Sequence, residues 1–395
     1  MNSSTDNARF NIGLLAACQA MLMTNNSTLI AINGLAGLAL APTPALATLP
    51  VTCWVIGGAI ATMQASKYMK QVGRRAGLIR GASVGIVGAA ICAAAMWQAS
   101  FWLLCFGTLV WGTYNAFGQY YRFVAAEVAA PDFKATAVSL VLAGGLVGGI
   151  VGPTLSRYTV DLAGPKFAGA YLALIVFALL TMTVLGRIRI PEPTGAEQAA
   201  SGRPLAKIAA QPKYVVAVIA GALSYGVMNF LMTSTPIAMG VCGHPYGDAA
   251  FVIYSHVIGM FAPSFVTGGL IRRFGTIPVM LAGAALNVAC IAIALSGVAL
   301  TNFGWALVLL GVGWNFLYIG ATTLLTETYR PEERAKAQGA NETAIFVMMA
   351  VSSFSSGMIV TNAGWEKVNY AATPLIAIVV LALTYLFIES RKSRA

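Results

Sequence analysis

The sequence predicts an all-α integral membrane protein of twelve transmembrane helices in two pseudo-symmetric six-helix bundles. Three observations carry that reading: composition, a regular succession of apolar runs, and an internal repeat. Of 395 residues, 58% are hydrophobic and only 9% charged, where a soluble domain carries about 25% charged residues. Mean hydropathy is +0.76, and a span of roughly 20 apolar residues must satisfy its own backbone inside lipid.

Taken in order, apolar runs fall at 10–35, 43–66, 77–97, 100–125, 135–162 and 166–188, then at 213–238, 249–270, 276–297, 302–326, 335–361 and 368–388. The first follows a polar start, MNSSTDNARF, and lacks a small-residue cleavage site, so it reads as a retained span. One long polar connection, bearing PEPTGAEQAASGRP, separates the two groups of six. The expected organisation is a six-helix bundle over 1–188, a cytoplasmic linker over 189–212 and a second bundle over 213–395.

Net charge is +11, yet the basic residues sit in short loops, so they read as topology signals and not as a nucleic-acid surface. With the amino terminus in the cytoplasm, only Arg157, Lys166 and Lys367 of the 24 basic residues fall outside. That bias predicts a multi-pass protein of the bacterial inner membrane, its partner the lipid bilayer, with both termini cytoplasmic. The six cysteines, Cys18, Cys53, Cys92, Cys105, Cys242 and Cys290, show no CxxC spacing, which speaks against a disulfide framework or a zinc site.

The repeat moves the reading from helix count to fold. Asn115, Glu127, Pro131, Asp132, Lys134, Ala135 and Ala137 recur two hundred residues later as Asn315, Glu327, Pro331, Glu332, Arg334, Ala335 and Ala337. Lys70, Gly73, Gly81 and Ala82 recur at nearly the same offset as Arg272, Gly275, Gly283 and Ala284. An offset of six helices means parallel repeats about an axis along the membrane normal. On these residues the chain resembles the major facilitator superfamily over essentially its whole length, which implies that family's fold and a monomeric transport unit. The loop SKYMKQVGRR resembles the family's Gly-and-basic signature without its usual acidic residue. Two readings stand for these loops: topology alone, or a cytoplasmic latch in which Glu127 and Glu327 pair with loop bases such as Arg74, Arg75, Arg272 and Arg273.

In such a fold the informative residues are polar or soft ones at mid-helix depth. The amino-terminal half has no mid-helix carboxylate, which speaks against a proton symporter, and Glu342, beside Asn341, is the one acid placed within a span, with an interface-level ion pair as the favoured reading. The seventh run contains Met228 and Met232, and the eighth His256 and Met260. A spacing of four puts each pair on one helix face, and a rise of about 1.5 Å per residue puts all four at similar depth. Random placement gives about 0.6 MxxxM pairs but only about 0.08 HxxxM pairs, so the second motif is the informative one. Thioether and imidazole suit a soft cation such as Cu(I). Met21 or Met23 from the first run is a candidate to complete the shell, and Met239, Cys242 and His244 in the outer loop are candidates for a capture point. For His256, a proton-carrying or hydrogen-bonding role stands beside the ligand role, and methionine is also an adaptable packing residue.

The pairing of these motifs resembles the CcoA family of copper importers, major-facilitator proteins that supply copper for assembly of cbb-type haem-copper oxidases. The resemblance implies copper import into the cytoplasm, with Met228, Met232, His256 and Met260 as ligands; copper is then cargo, and no resident cofactor is expected. Two other classes stay open: a proton-coupled transporter or exporter of a small organic solute, and a membrane sensor, for which a soluble appendage would be expected. An enzyme is not expected, since no nucleophile, base and orienting group share one depth.

Overall fold

The computed structural model describes residues 3–43, 46–195, 198, 200 and 202–392. Of the expected linker 189–212, residues 196, 197, 199 and 201 lie outside the described residues. Among the described residues there is helix and no strand. The first repeat comprises α1 (Ser3–Leu40), α2 (Leu49–Val72), α3 (Arg74–Trp97), α4 (Phe101–Gly118), α5 (Tyr121–Val128), α6 (Lys134–Thr159) and α7 (Ala168–Leu185). A short α8 (Leu205–Ala209) precedes the second repeat, α9 (Pro212–Val241), α10 (Tyr246–Phe261), α11 (Ser264–Phe274), α12 (Thr276–Leu295), α13 (Leu300–Leu325) and α14 (Arg334–Lys392).

Eight described helices are long and apolar enough to cross a membrane, nine when α10 and α11 count as one span bent by 40°. Three features account for the rest of the twelve. Gly364, at φ 81° and ψ 177°, divides α14 into two helices. In α1 the apolar run is interrupted by Asn11, Gln19, Thr24, Asn25, Asn26 and Asn33, all buried. The fourth span, α4 with the start of α5, carries buried Thr108 and Asn115. The expected fold of twelve helices in two repeats is the one found.

Helix ends differ from the apolar runs for identifiable reasons. α2 begins at Leu49, with Pro50 in its first turn, and runs on to Val72 through the polar Lys67–Gln71 stretch. It ends only where Gly73 takes φ 90°, ψ 160°. Gly275 takes φ 91°, ψ 160° at the matching turn, a conformation that an L side chain resists. The repeat is visible again where one-turn 3-10 helices, Pro131–Phe133 and Pro331–Glu333, lead into α6 and α14.

Two compact units can be traced, each with a segment from the other repeat. One contains the residues up to Ala129, Gly144–Gly202 and Pro331–Phe346; the other contains Ala130–Ala143, Arg203–Arg330 and the chain from Val347 on. In the first, α4 packs on α2 and α3, while α7 packs on α1 and α3. In the second, α13 is the central helix, in contact with α9, α10 and α12, and its face buries Phe303, Leu307, Leu310, Trp314 and Leu317. Large apolar side chains such as Trp102, Phe106, Trp305 and Phe354 are exposed, as lipid-facing positions require.

Candidate functional site

In the second unit an aromatic cluster is assembled from three helices. Trp314 and Tyr318, one turn apart on α13, stack with centroids 4.7 Å apart at 20°. Tyr225 of α9 meets both edge-on, at 5.5 and 5.4 Å, and Phe261, at the end of α10, meets Trp314 at 5.9 Å. Trp314 is buried, yet its indole Nε1–H has no hydrogen-bond partner. A buried donor left unsatisfied costs about 1–3 kcal/mol. The cluster therefore sets one free N–H among largely buried aromatic rings, a chemistry that matches a planar solute bearing carbonyl oxygens.

Beside the cluster the eighth span is broken. Pro263 cannot donate to the helix, and Asn315 repairs the gap. Its Nδ2 donates to the Met260 carbonyl and to Ser264 Oγ, both at 2.6 Å, while its Oδ1 accepts from Thr267 Oγ1 at 2.7 Å. Ser139, from the start of α6, hydrogen-bonds through Oγ to the Ser264 carbonyl and accepts from the Gly268 N–H at 3.0 Å.

The first unit carries the charges. Arg74 grips Glu127 with two hydrogen bonds, Nη2–Oε1 at 2.6 Å and Nε–Oε2 at 3.1 Å. Arg334 approaches Glu127 Oε2 at 3.4 Å, and Gln338 donates to its Oε1 at 3.0 Å while accepting from Arg74 at 2.6 Å. Burial pushes the Glu127 carboxyl up, but Arg74 and Arg334 beside it outweigh that and hold it below the usual carboxylate range. Deeper lies a second pair: Arg122 Nη2 meets Glu342 Oε1 at 2.5 Å, with both side chains buried. A cavity of about 460 Å³ beside Glu127 is lined by Asn7, Asn11, Arg74, Arg189 and Arg334 among others.

The residues singled out from the sequence are placed as follows. Glu327, the repeat counterpart of Glu127, pairs with Lys213 at 2.6 Å at a half-exposed position. Arg75 and Arg272 are exposed, and Arg273 lies over the Phe274 ring. Met228, His256 and Met260 are buried. His256 Nδ1–H donates to the Leu307 carbonyl at 2.7 Å, leaving its Nε2 without a partner. Met232 packs against the apolar core, and Met239 is inside it. Met21 and Met23 are half-buried and Cys242 is exposed. His244 Nε2 is 2.8 Å from the Val298 carbonyl, with its ring against Phe303. Among the described residues, no group of three or more His, Cys, Asp or Glu could hold a metal ion.

Sequence reasoning passed over the aromatic cluster and Arg122. The usable signal was the i, i+4 pair Trp314 and Tyr318, which has the same spacing as ordinary core residues.

Two helical repeats crossing the membrane, with polar and aromatic side chains buried at mid-span, define a membrane transporter. The Major Facilitator Superfamily profile matches residues 15–353 and 219–395, and the chain belongs to that superfamily. It is 42% identical over 379 residues to the riboflavin transporter RfnT of Brucella anthropi, covering 95% of each chain. It is 27% identical over 363 residues to the uncharacterized MFS-type transporter YddS of Bacillus subtilis, covering 87% of this chain and 83% of that one. Among solved structures, that of the transporter FucP in the outward conformation superposes with a TM-score of 0.77 at 18% identity, covering 96% and 99% of the two chains.

These findings correct the expectation of copper import. A relative this similar along its whole length is a riboflavin transporter, so the copper cargo, the CcoA-like assignment and the link to oxidase assembly are withdrawn. The physical reason for the error lies in what the motif residues touch. The methionines Met232 and Met239 serve apolar packing, a role that looks the same in sequence as that of a ligand.

Proposed function

We propose that the protein is a secondary transporter of a small, flat organic solute of the riboflavin class, working by alternating access as a monomer. The observation that carries this is the 42% identity to a riboflavin transporter along 95% of both chains. The aromatic cluster supports it on physical grounds. A fused heteroaromatic ring stacks on Trp314, Tyr318 or Tyr225, each ring pair adding about 0.5–1.5 kcal/mol beyond burial, and a ring carbonyl satisfies the free Trp314 indole N–H.

The proposed setting is the bacterial inner membrane with both termini cytoplasmic, since 21 of the 24 basic residues fall on one side. Riboflavin fluoresces, and stacking on tryptophan or tyrosine quenches it, so binding is measured by titrating riboflavin with purified protein. Saturable quenching that is weakened in Trp314→Ala is expected. No quenching by folded protein, or equal quenching by Trp314→Ala, contradicts the assignment of the site.

A further inference from the structure

Within the first unit, α1 and α4 meet through a pair of amides. A Cβ at Gly118 would lie 2.2 Å from the Leu22 side chain, so Leu22 fills the space that this glycine leaves. About one turn away on each helix, Asn26 of α1 meets Asn115 of α4. Asn26 Nδ2 donates to Asn115 Oδ1 at 2.9 Å, and Gln119 Nε2 approaches the same oxygen at 3.4 Å. Both asparagines are buried.

The pair has an open edge. Asn26 Oδ1 is buried without a partner, and among the described residues Asn115 Nδ2 donates no hydrogen bond. The count is the same whichever way the two amides are turned, because two amides joined by one N–H···O bond leave one carbonyl and one NH2 group over. An acceptor and a donor therefore stand side by side in a region where an unmade hydrogen bond is a standing cost.

The internal repeat shows that this amide is spare. At the constant offset of two hundred residues Asn115 corresponds to Asn315, and Asn315 spends its side chain on the broken eighth span, on the Met260 carbonyl, Ser264 and Thr267. The first unit has no such break to repair. By the offset that carries Gly73 to Gly275, Ala61 stands where the second repeat has Pro263, and α2 runs unbroken from Leu49 to Val72. Asn115 is thus released from the structural duty of its counterpart, and its partner on α1 is left with a bare oxygen.

An acceptor beside a donor is the complement of a cyclic imide, in which a ring N–H is flanked by ring carbonyls. The flavin ring carries one such edge, N3–H between two carbonyl groups, and a single hydroxyl could not meet both groups of the pair at once. We propose that Asn26 and Asn115 read this imide edge, the ring N–H donating to Asn26 Oδ1 and an adjacent ring carbonyl accepting from Asn115 Nδ2. The inference rests on the riboflavin-class reading above and narrows it: the carried ring has an unsubstituted imide, and a ring alkylated at that nitrogen is refused because the buried Asn26 oxygen is then left unpaired.

Equilibrium dialysis of the purified protein against riboflavin and against 3-methylriboflavin, which differs only in carrying a methyl group on the imide nitrogen, tests this, the free flavin being read by its own fluorescence. The parent should bind riboflavin at least about tenfold more tightly. The double change Asn26→Leu with Asn115→Leu replaces both partners of the bond by apolar side chains of similar size, a change that a fold tolerates better than loss of one partner, and it should bind the two flavins alike. Asn26→Ala alone should lose most of the preference, which keeps the test decisive if the double variant fails to fold. Equal binding of the two flavins by the parent, or a preference that survives in the folded variants, would overturn this inference and leave the riboflavin reading standing. Binding of neither flavin by folded parent protein would overturn both.

Discussion

Replacing Glu127 and Glu327 one at a time by glutamine should give sharply unequal losses of stability, although the two residues occupy equivalent places in the repeat. Removing one partner of a fully buried ion pair costs about 3–5 kcal/mol. Glu127 is 17% exposed and its partner Arg74 only 5%, so most of that penalty applies. Gln338 remains to accept from Arg74, which lowers the expected loss to about 2 kcal/mol. At the other site Lys213 and Glu327 are 44% and 43% exposed, and water screens a pair of that kind to about 0–1 kcal/mol. Thermal unfolding of the purified variants in one detergent is the assay. Glu127→Gln should melt clearly below the parent, and Glu327→Gln should be close to it. Equal shifts would refute the burial argument and return both residues to a topology-only role.

Acid should weaken the same contact. The Glu127 carboxyl is held below its ordinary range in the folded protein, so its contribution is fully present above the unfolded-state value of about 4.3 and is lost as pH falls through the lowered folded value. A pH series of melting curves should show that loss in the parent and a flatter acid limb in Glu127→Gln. Asn315→Ala removes three hydrogen bonds at the break in the eighth span and should cost about 2–4 kcal/mol, read from the same melts; Asn315→Asp, which sets a carboxylate oxygen against the Met260 carbonyl in place of the donor, should not restore it. Trp314→Ala should weaken riboflavin binding about tenfold, within the range of one lost aromatic contact, and Trp314→Phe should weaken it less.

The architecture was legible because it is written in periodic features. Gly73 and Gly275 announced matching turns, and both adopt the left-handed region that glycine favours. Pro131 and Pro331 announced matching helix starts. Helix α1 also announced itself, although its buried asparagines lower the hydropathy signal. The site was less legible. A spacing of four residues establishes that Met228 and Met232, or His256 and Met260, share a helix face, but not what that face meets. The structure gives Met232 an apolar core as its neighbour and gives His256 a backbone carbonyl, and a methionine serving as packing looks the same in sequence as one serving as ligand. Trp314 and Tyr318 were invisible for the converse reason, since an aromatic i, i+4 pair is ordinary core. Arg122 and Glu342 stand 220 residues apart, and no local pattern joins them. Only the repeat, which places Thr322 and Leu142 where they stand, marks them as departures from what the fold requires.

The most direct measurement of the central claim is accumulation of radiolabelled riboflavin by bacterial cells that cannot make or import it, with and without this chain in their membrane. Saturable accumulation that depends on the chain, is competed by unlabelled riboflavin and is reduced by Trp314→Ala is the predicted result. Accumulation no greater than in cells lacking the chain, with the protein present in the membrane in folded form, would contradict it.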